Sequence, residues 1–371
     1  MKANGLYRNR RLRQVRTTAG AQQAQQRLEQ FEVRSYETTH VHGLWHLDFH
    51  VGSRKVLQPE GRYATAHLLG ILDDRSRLAC HLQWYLAETT ENLVHGLSQA
   101  LQKRGLCGAL MTDRGAAMMA AETTQGLARL AILHEPTLPY SPYQNAKQES
   151  FWTQVEGRLM PMLEGCPDLT LTQLNEATQA WVEFEYNRKL HSEIGMAPLT
   201  RYLAGPSVGR PCPASEALRQ TFTVEQRRSQ RRSDGTLSLA GSRFEVSSRF
   251  RHLRRLTVRY ASWDLSFVLL VDPGTGLVLD RLYPLDKAAN ADGQRRRLAP
   301  GPLAADGLDT GRATAPDPRP SGMAPLLRQL LADYAATGRP PAYLPKDEPT
   351  PAAPLGEDHP TVPDEDEEEE R

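Results

Sequence analysis

Residues 44–50 read LWHLDFH, an apolar strand pattern with an aspartate, Asp48, inside it. A carboxylate in a core strand is costly unless something pairs with it. Outward from this strand, ATAHLLGIL (64–72) and LACHLQWY (78–85) supply two more strands, with DDRSR (73–77) as the hairpin turn between them. A helical pattern follows over Thr90–Arg104, with Leu93, Leu97 and Leu101 on one face and Gly105 as its stop. CGALMT (107–112) reads as a short buried strand that ends on a second acid, Asp113. A helix over Thr123–Leu130, a strand AILHEP (131–136) and a loop PYSPYQ (139–144) lead to a helix from Asn145 to about Leu163. Its first turn carries Glu149, and Asn145 with Gln148 gives it a capping-box-like start. A last helix, about Leu171–Asn187, would pack through Leu174, Ala177, Trp181 and Phe184.

Three strands, then alternating helices and strands, predict an α/β fold with a mixed sheet, because strand–helix–strand units make parallel crossovers. The expected domains are a basic N-terminal arm with a short helix (1–42), an α/β core (43–205), a small antiparallel β-barrel (206–298) and a Pro-rich, acidic tail (299–371). The barrel is read from short strands between about Phe222 and Leu285, separated by turns such as SDG, AGS and PGTG. The tail cannot bury enough apolar surface to order itself, apart from one predicted helix over 325–338, PLLRQLLADYAATG.

Charge is unevenly spread. Residues 1–28 hold seven basic residues and no acid, whereas residues 347–371 hold eleven acids against Arg371. That tail nets −10, so a whole-chain charge of +1 leaves +11 on residues 1–346, which points to a polyanionic partner. Between Gln226 and Tyr260 stand Arg227, Arg228, Arg231, Arg232, Arg243, Arg249, Arg251, Arg254, Arg255 and Arg259, against Asp234 and Glu245. Such density suits phosphate-backbone binding without base reading. The acidic tail reads as a solubilising extension. Cys80, Cys107, Cys166 and Cys212 are too far apart for a metal clip and too few for a disulfide framework. No long apolar run or apolar N-terminal leader is present, so a cytoplasmic protein is expected.

Asp48, Asp113 and Glu149 are the candidate site. Three converging carboxylates repel unless a cation neutralises them, and hard oxygen donors suit Mg²⁺ or Mn²⁺. Two such ions, about 3.5–4 Å apart, can activate an attacking oxygen and stabilise a leaving one at phosphorus. Neighbouring acids and histidines read as structural. Asp73 and Asp74 fit hairpin-turn geometry, and His40, His42, His46 and His50 lack the paired Cys or second His group of a zinc site. The stripe Trp152, Val155, Leu159, Met162 reads as core.

The 35 residues between Asp113 and Glu149, with the glutamate behind PYSPYQNAKQES, resemble the integrase core of retroviruses and of bacterial insertion-sequence transposases. WHLDFH resembles the first-aspartate strand, LDDRSR the following hairpin, MTDRG the second-aspartate turn, and EYNRKLHSEIGMAPLTRY the segment that closes the domain. The resemblance covers about Gly43–Leu203. It implies an RNase H-like fold and a DDE-type transposase, with Asp48, Asp113 and Glu149 as catalytic metal ligands for DNA cleavage and strand transfer. It further implies two Mg²⁺ or Mn²⁺ ions, double-stranded DNA as partner, and a homo-oligomer on that DNA. Arg114, Lys147 and Gln148 are expected to touch DNA beside the triad, as are Arg227, Arg228, Arg231, Arg232, Arg251, Arg254 and Arg255 in the second domain.

That second domain resembles the barrel following the core in Mu-like transposases, which implies an AAA+ ATPase partner, with the 325–338 helix as its docking site. Two positions depart from the family pattern: Arg114 stands where Asn is common, and Ala146 where a loop glycine is expected. Relatives usually carry a helix-turn-helix module before the core, and 47 residues precede Asp48 here. The alternatives are a DNA-binding remnant of a shortened element and a structure-specific nuclease of the same fold.

Overall fold

A computed structural model describes residues 36–137, 146–287, 291, 322–339 and 341–346. Residues 1–35 of the basic arm with its short helix, the PYSPYQ loop with Asn145, and the acidic residues 347–371 lie outside the described residues.

The first domain is built on five strands: β1 (Leu44–Leu57), β2 (Tyr63–Asp73), β3 (Ala79–Tyr85), β4 (Ala109–Thr112) and β5 (Leu133–Pro136), in the order β3-β2-β1-β4-β5. β3, β2 and β1 form an antiparallel meander, whereas β4 and β5 run parallel to β1, as expected for strands joined by helical crossovers. The crossovers are α1 (Thr90–Arg104) and α2 (Ala121–Arg129). Thr89 caps α1 by accepting from Asn92 N, and Gly105 stops it.

The sheet is apolar on both faces because it separates two cores. Odd-numbered residues of β1 and β2 (Trp45, Leu47, Leu69, Ile71) pack with α1 and α2 through Leu93, Leu97, Leu101 and Leu127. Even-numbered Ala66, Leu68 and Leu72 of β2 face the opposite core.

That opposite core lies under two long helices, α3 and α4. α3 comprises an α-helix (Ala146–Gln154), a π-helical turn (Val155–Leu159) and a closing turn (Met160–Met162). α4 runs as α-helix over Leu171–Trp181 and as π-helix over Val182–Tyr186, behind a capping box of Thr170 and Gln173.

Edge strand β3 would expose unpaired backbone groups. Amide side chains of α4 and of the residue after it cover them. Asn175 Oδ1 accepts from Trp84 N at 2.7 Å and Asn187 Oδ1 from Ala79 N at 3.0 Å. Tyr186 Oη donates to Arg77 O at 3.0 Å. The Tyr-Asn pair of EYNRKLH therefore clamps the β2–β3 hairpin.

After α5 (Pro198–Ala204) and α6 (Ser215–Thr221) come β6 (Val224–Ser229), β7 (Thr236–Leu239), β8 (Ser242–Glu245), β9 (Arg255–Ala261), β10 (Asp264–Val271) and β11 (Val278–Leu282). They share one core around Leu237, Phe244, Leu256, Val258 and Leu270. In place of the expected small barrel, the described residues form an open four-stranded antiparallel sheet, β11-β10-β9-β6, and a separate β7–β8 hairpin. One isolated bridge, Phe244 to Pro284, joins the two.

Helix α7 (Pro325–Ala336) does not stand apart as a docking element. Leu327 and Leu330 are buried in the core under α3 and α4, and Tyr334 meets Phe184 edge-on at 5.9 Å. Beyond it Leu344 O accepts from Gln83 Nε2 at 2.9 Å, which adds a cover to β3. The expectation that this helix docks a partner is not supported for its apolar face, which is buried in the chain's own core. Among the described residues no helix is long and apolar enough to cross a membrane.

Candidate active site

β1 and β4 pair in parallel with Leu47 beside Thr112. The next residues are Asp48, still within β1, and Asp113, just past the end of β4, so continuing the register brings these acids to neighbouring positions on one side of the sheet. Each is half-buried and spends one oxygen locally: Asp48 Oδ1 accepts from Phe49 N at 2.9 Å, and Asp113 Oδ1 from Gly115 N at 2.9 Å. Gly115 suits that turn, since a Cβ there would lie 3.1 Å from Asp113 Oδ1.

α3 crosses this side of the sheet. Gln148 Nε2 donates to Gly70 O at 3.0 Å, and Gly70 is the β2 partner of Asp48. A Cβ on Gly70 would come within 2.3 Å of the Trp152 ring, so glycine permits the close approach of the helix. Trp152 Nε1 in turn donates to Asp48 Oδ2 at 3.4 Å. Glu149, one residue after the buried Gln148, is exposed on the same turn of the helix.

Two expected acids thus occupy neighbouring strands, and the third rides on the helix that packs over Asp48. Among the described residues no three His, Cys, Asp or Glu side chains stand close enough to hold one metal ion, so the triad is not gathered into a cage. The donor set nonetheless fits a hard divalent cation, because Asp48 and Asp113 are partly open carboxylates in adjacent positions.

Two expected DNA contacts are placed elsewhere. Gln148 is fully buried against Gly70, so its amide is not on a surface that DNA can touch. The signal was present in the sequence: Gln148 lies four residues before Trp152, on the apolar stripe of its helix. Lys147 turns inward as well. Its ammonium pairs with Asp74, donates to Tyr36 O and lies 4.2 Å from the centre of the Tyr36 ring. Arg114 is exposed and donates Nε to Thr137 O at 2.9 Å, tying the second-aspartate turn to the end of β5.

Asp73 behaves as a turn residue, accepting from Ser76 N at 2.8 Å. Asp74 does more. Its buried carboxylate takes Thr38 N at 2.7 Å, His46 Nε2 at 2.8 Å and the Lys147 ammonium. Burial alone would raise this carboxyl, but those three donors hold it well below the usual carboxylate range. Burial lowers His46, consistent with a neutral ring whose Nε2 carries the proton. The four N-terminal histidines share no site: His42 Nδ1 meets Ser207 Oγ, His46 meets Asp74, His50 meets Glu156, and His40 meets Thr39.

In the second sheet, Arg227 and Arg255 lie on the face turned away from the core, since their neighbours Arg228 and Leu256 alternate inward. Arg231, Arg232, Arg251 and Arg254 are exposed beside them, and Arg228 is half-buried with Nη2 on Gln226 Oε1 at 2.6 Å. Among the described residues, no ion pair holds the side chains of Arg227, Arg232, Arg254 or Arg255, whereas Arg249 pairs with Asp280 and Arg259 with Glu225.

No family model and no curated protein matches this chain. Several solved structures are similar. One is a simian T-cell lymphotropic virus intasome in complex with a PP2A regulatory subunit (15% identity, TM-score 0.39, covering 67% of this chain and 78% of that one). A second is the catalytic core domain of BIV integrase (19%, TM-score 0.34, 43% and 93%). A third is the HTLV-2 integrase catalytic core domain in complex with magnesium (16%, TM-score 0.34, 45% and 99%).

Proposed function

We propose that this chain is a DDE-type polynucleotidyl transferase, a transposase of the insertion-sequence or Mu-like kind, acting on double-stranded DNA. The observation that supports this reading is the register of β1 on β4, which leads Asp48 and Asp113 to neighbouring positions, together with the packing on Asp48 of the helix that bears Glu149. Asp48, Asp113 and Glu149 would hold Mg²⁺ or Mn²⁺, two ions in the full site, which when bound supply charge neutralisation at the phosphate and an activated attacking oxygen. The chain's own contribution is orientation. Backbone N–H groups fix one oxygen of each aspartate, and α3 brings Glu149 to the same side of the sheet.

Arg227, Arg231, Arg232, Arg251, Arg254 and Arg255 form the exposed basic surface that would track the DNA backbone, with Arg114 nearer the acids. A homo-oligomer assembled on DNA in the cytoplasm completes the reading. An AAA+ ATPase, as a partner, would have to meet a surface other than the apolar face of α7.

One observation favours a second reading, the non-catalytic DNA-binding remnant: the three acids do not form a cage among the described residues. Strand transfer from pre-cleaved DNA ends in Mn²⁺ separates the two. Product from this chain supports the transposase, and DNA binding without product supports the remnant.

A further inference from the structure

We propose that Trp152 is a positioning residue that fixes the Asp48 carboxylate, and that Gly70, His50 and Glu156 hold its indole in place. The inference rests on the active-site reading above. It begins from the two oxygens of Asp48. Oδ1 is tied to the strand's own Phe49 N at 2.9 Å, while Oδ2 receives the indole N–H from the covering helix at 3.4 Å. Donors from two different elements define the plane of the carboxylate, and rotation about its side chain would forfeit both.

The indole is suited to this task because its N–H only donates and carries no charge. It orients an anion without competing with it for a cation. The ring itself is tightly set. One contact is Gly70, where a single added methyl would collide at 2.3 Å. The His50 ring stacks on it with centroids 5.1 Å apart and planes 17° from parallel. His50 Nε2 bonds Glu156 Oε1 at 2.8 Å, an oxygen that also receives Ser53 N at 3.3 Å.

Glu156 sits four residues after Trp152 and inside the π-helical turn, so both side chains reach the same strand. The outcome is a closed set of contacts from β1 to α3 and back, with Asp48 at one end. The same helix that carries Glu149 thereby orients Asp48.

The test uses the full chain and Trp152→Phe, which keeps an aromatic ring for Gly70 and His50 but removes the donor. Mn²⁺ affinity is read by electron paramagnetic resonance, alongside kcat and KM for strand transfer. Groups that orient metal ligands typically contribute 10- to 100-fold. Trp152→Phe should therefore weaken Mn²⁺ binding and lower kcat by about tenfold, with KM for DNA and the melting temperature little changed. Asp48→Asn should lose Mn²⁺ binding more severely. Parental Mn²⁺ affinity and kcat in Trp152→Phe, with both lost in Asp48→Asn, overturns the positioning role alone. Parental Mn²⁺ affinity in Asp48→Asn overturns the active-site reading and this inference with it. Should Trp152→Phe fail to fold, His50→Phe keeps a stacking ring and drops the bond to Glu156. A severalfold fall in kcat supports the proposal there, and parental kcat overturns it.

Discussion

Asp74, whose side chain is fully buried, is paired with the Lys147 ammonium and hydrogen-bonded to His46 Nε2. This pair ties the β2–β3 turn to the first turn of α3, two residues before Glu149. Removing one partner of such a pair leaves the other uncompensated and costs several kcal/mol. Asp74→Asn should therefore destabilise the protein by about 3 kcal/mol. The double change Asp74→Asn with Lys147→Met should recover part of that loss, because no unpaired charge remains. Denaturant unfolding of four chains, the parent, Asp74→Asn, Lys147→Met and the double variant, measures both quantities, and additive losses would contradict the pairing.

Acid should act on the same group. Because its folded-state pKa lies below the unfolded value of about 3.9, Asp74 contributes stability that is present above that value. The contribution drains away as pH falls from there towards the folded pKa. Stability measured between pH 6 and 2 should fall more steeply in the parent than in Asp74→Asn, and parallel curves would refute the assignment.

Leu327 fills a fully buried place in the core below α3 and α4, although it arrives from beyond the second sheet. Leu327→Ala should cost about 2–4 kcal/mol, with the spread set by how far the site collapses. A thermal melt reads the loss directly. An unchanged melting temperature would mean that α7 does not rest on the core in solution.

Arg227 and Arg255 share the outward face of the second sheet. Replacing either with Ala should weaken DNA binding about equally on all sequences. Each loss should also reduce the slope of log affinity against log salt by about 1. Titrations at several salt concentrations test this, and an unaltered slope would place the DNA elsewhere.

The sequence made the strands and helices of the core legible because each carries a clean period and a clear stop, such as Gly105 after α1. Asp48 and Asp113 stood out in the sequence because one lies inside an apolar strand pattern and the other ends one. Other features were hidden because they depend on contacts between distant segments. The inward turn of Lys147 is set by Asp74 and Tyr36, far from it in the chain. The docking of α7 depends on a groove under α4 that no local pattern announces. The continuation of β1 through Ser53 and Arg54 was obscured by its polar residues and by a register shift between Val51 and Lys55. The Tyr-Asn segment resembled a family feature, but its role as a clamp on β3 emerged only from the hydrogen bonds of Asn187.

The central claim is that Glu149 works with Asp48 and Asp113 in one phosphoryl-transfer site. Glu149→Gln keeps the length and the helix-forming character of an exposed side chain while removing its charge, so folding and DNA affinity should be unaffected. Strand transfer from pre-cleaved ends in Mn²⁺, measured beside DNA binding on the same preparations, is the most direct test. The account predicts product from the parent and none from Glu149→Gln at equal DNA occupancy. Product at the parental level from Glu149→Gln would contradict it.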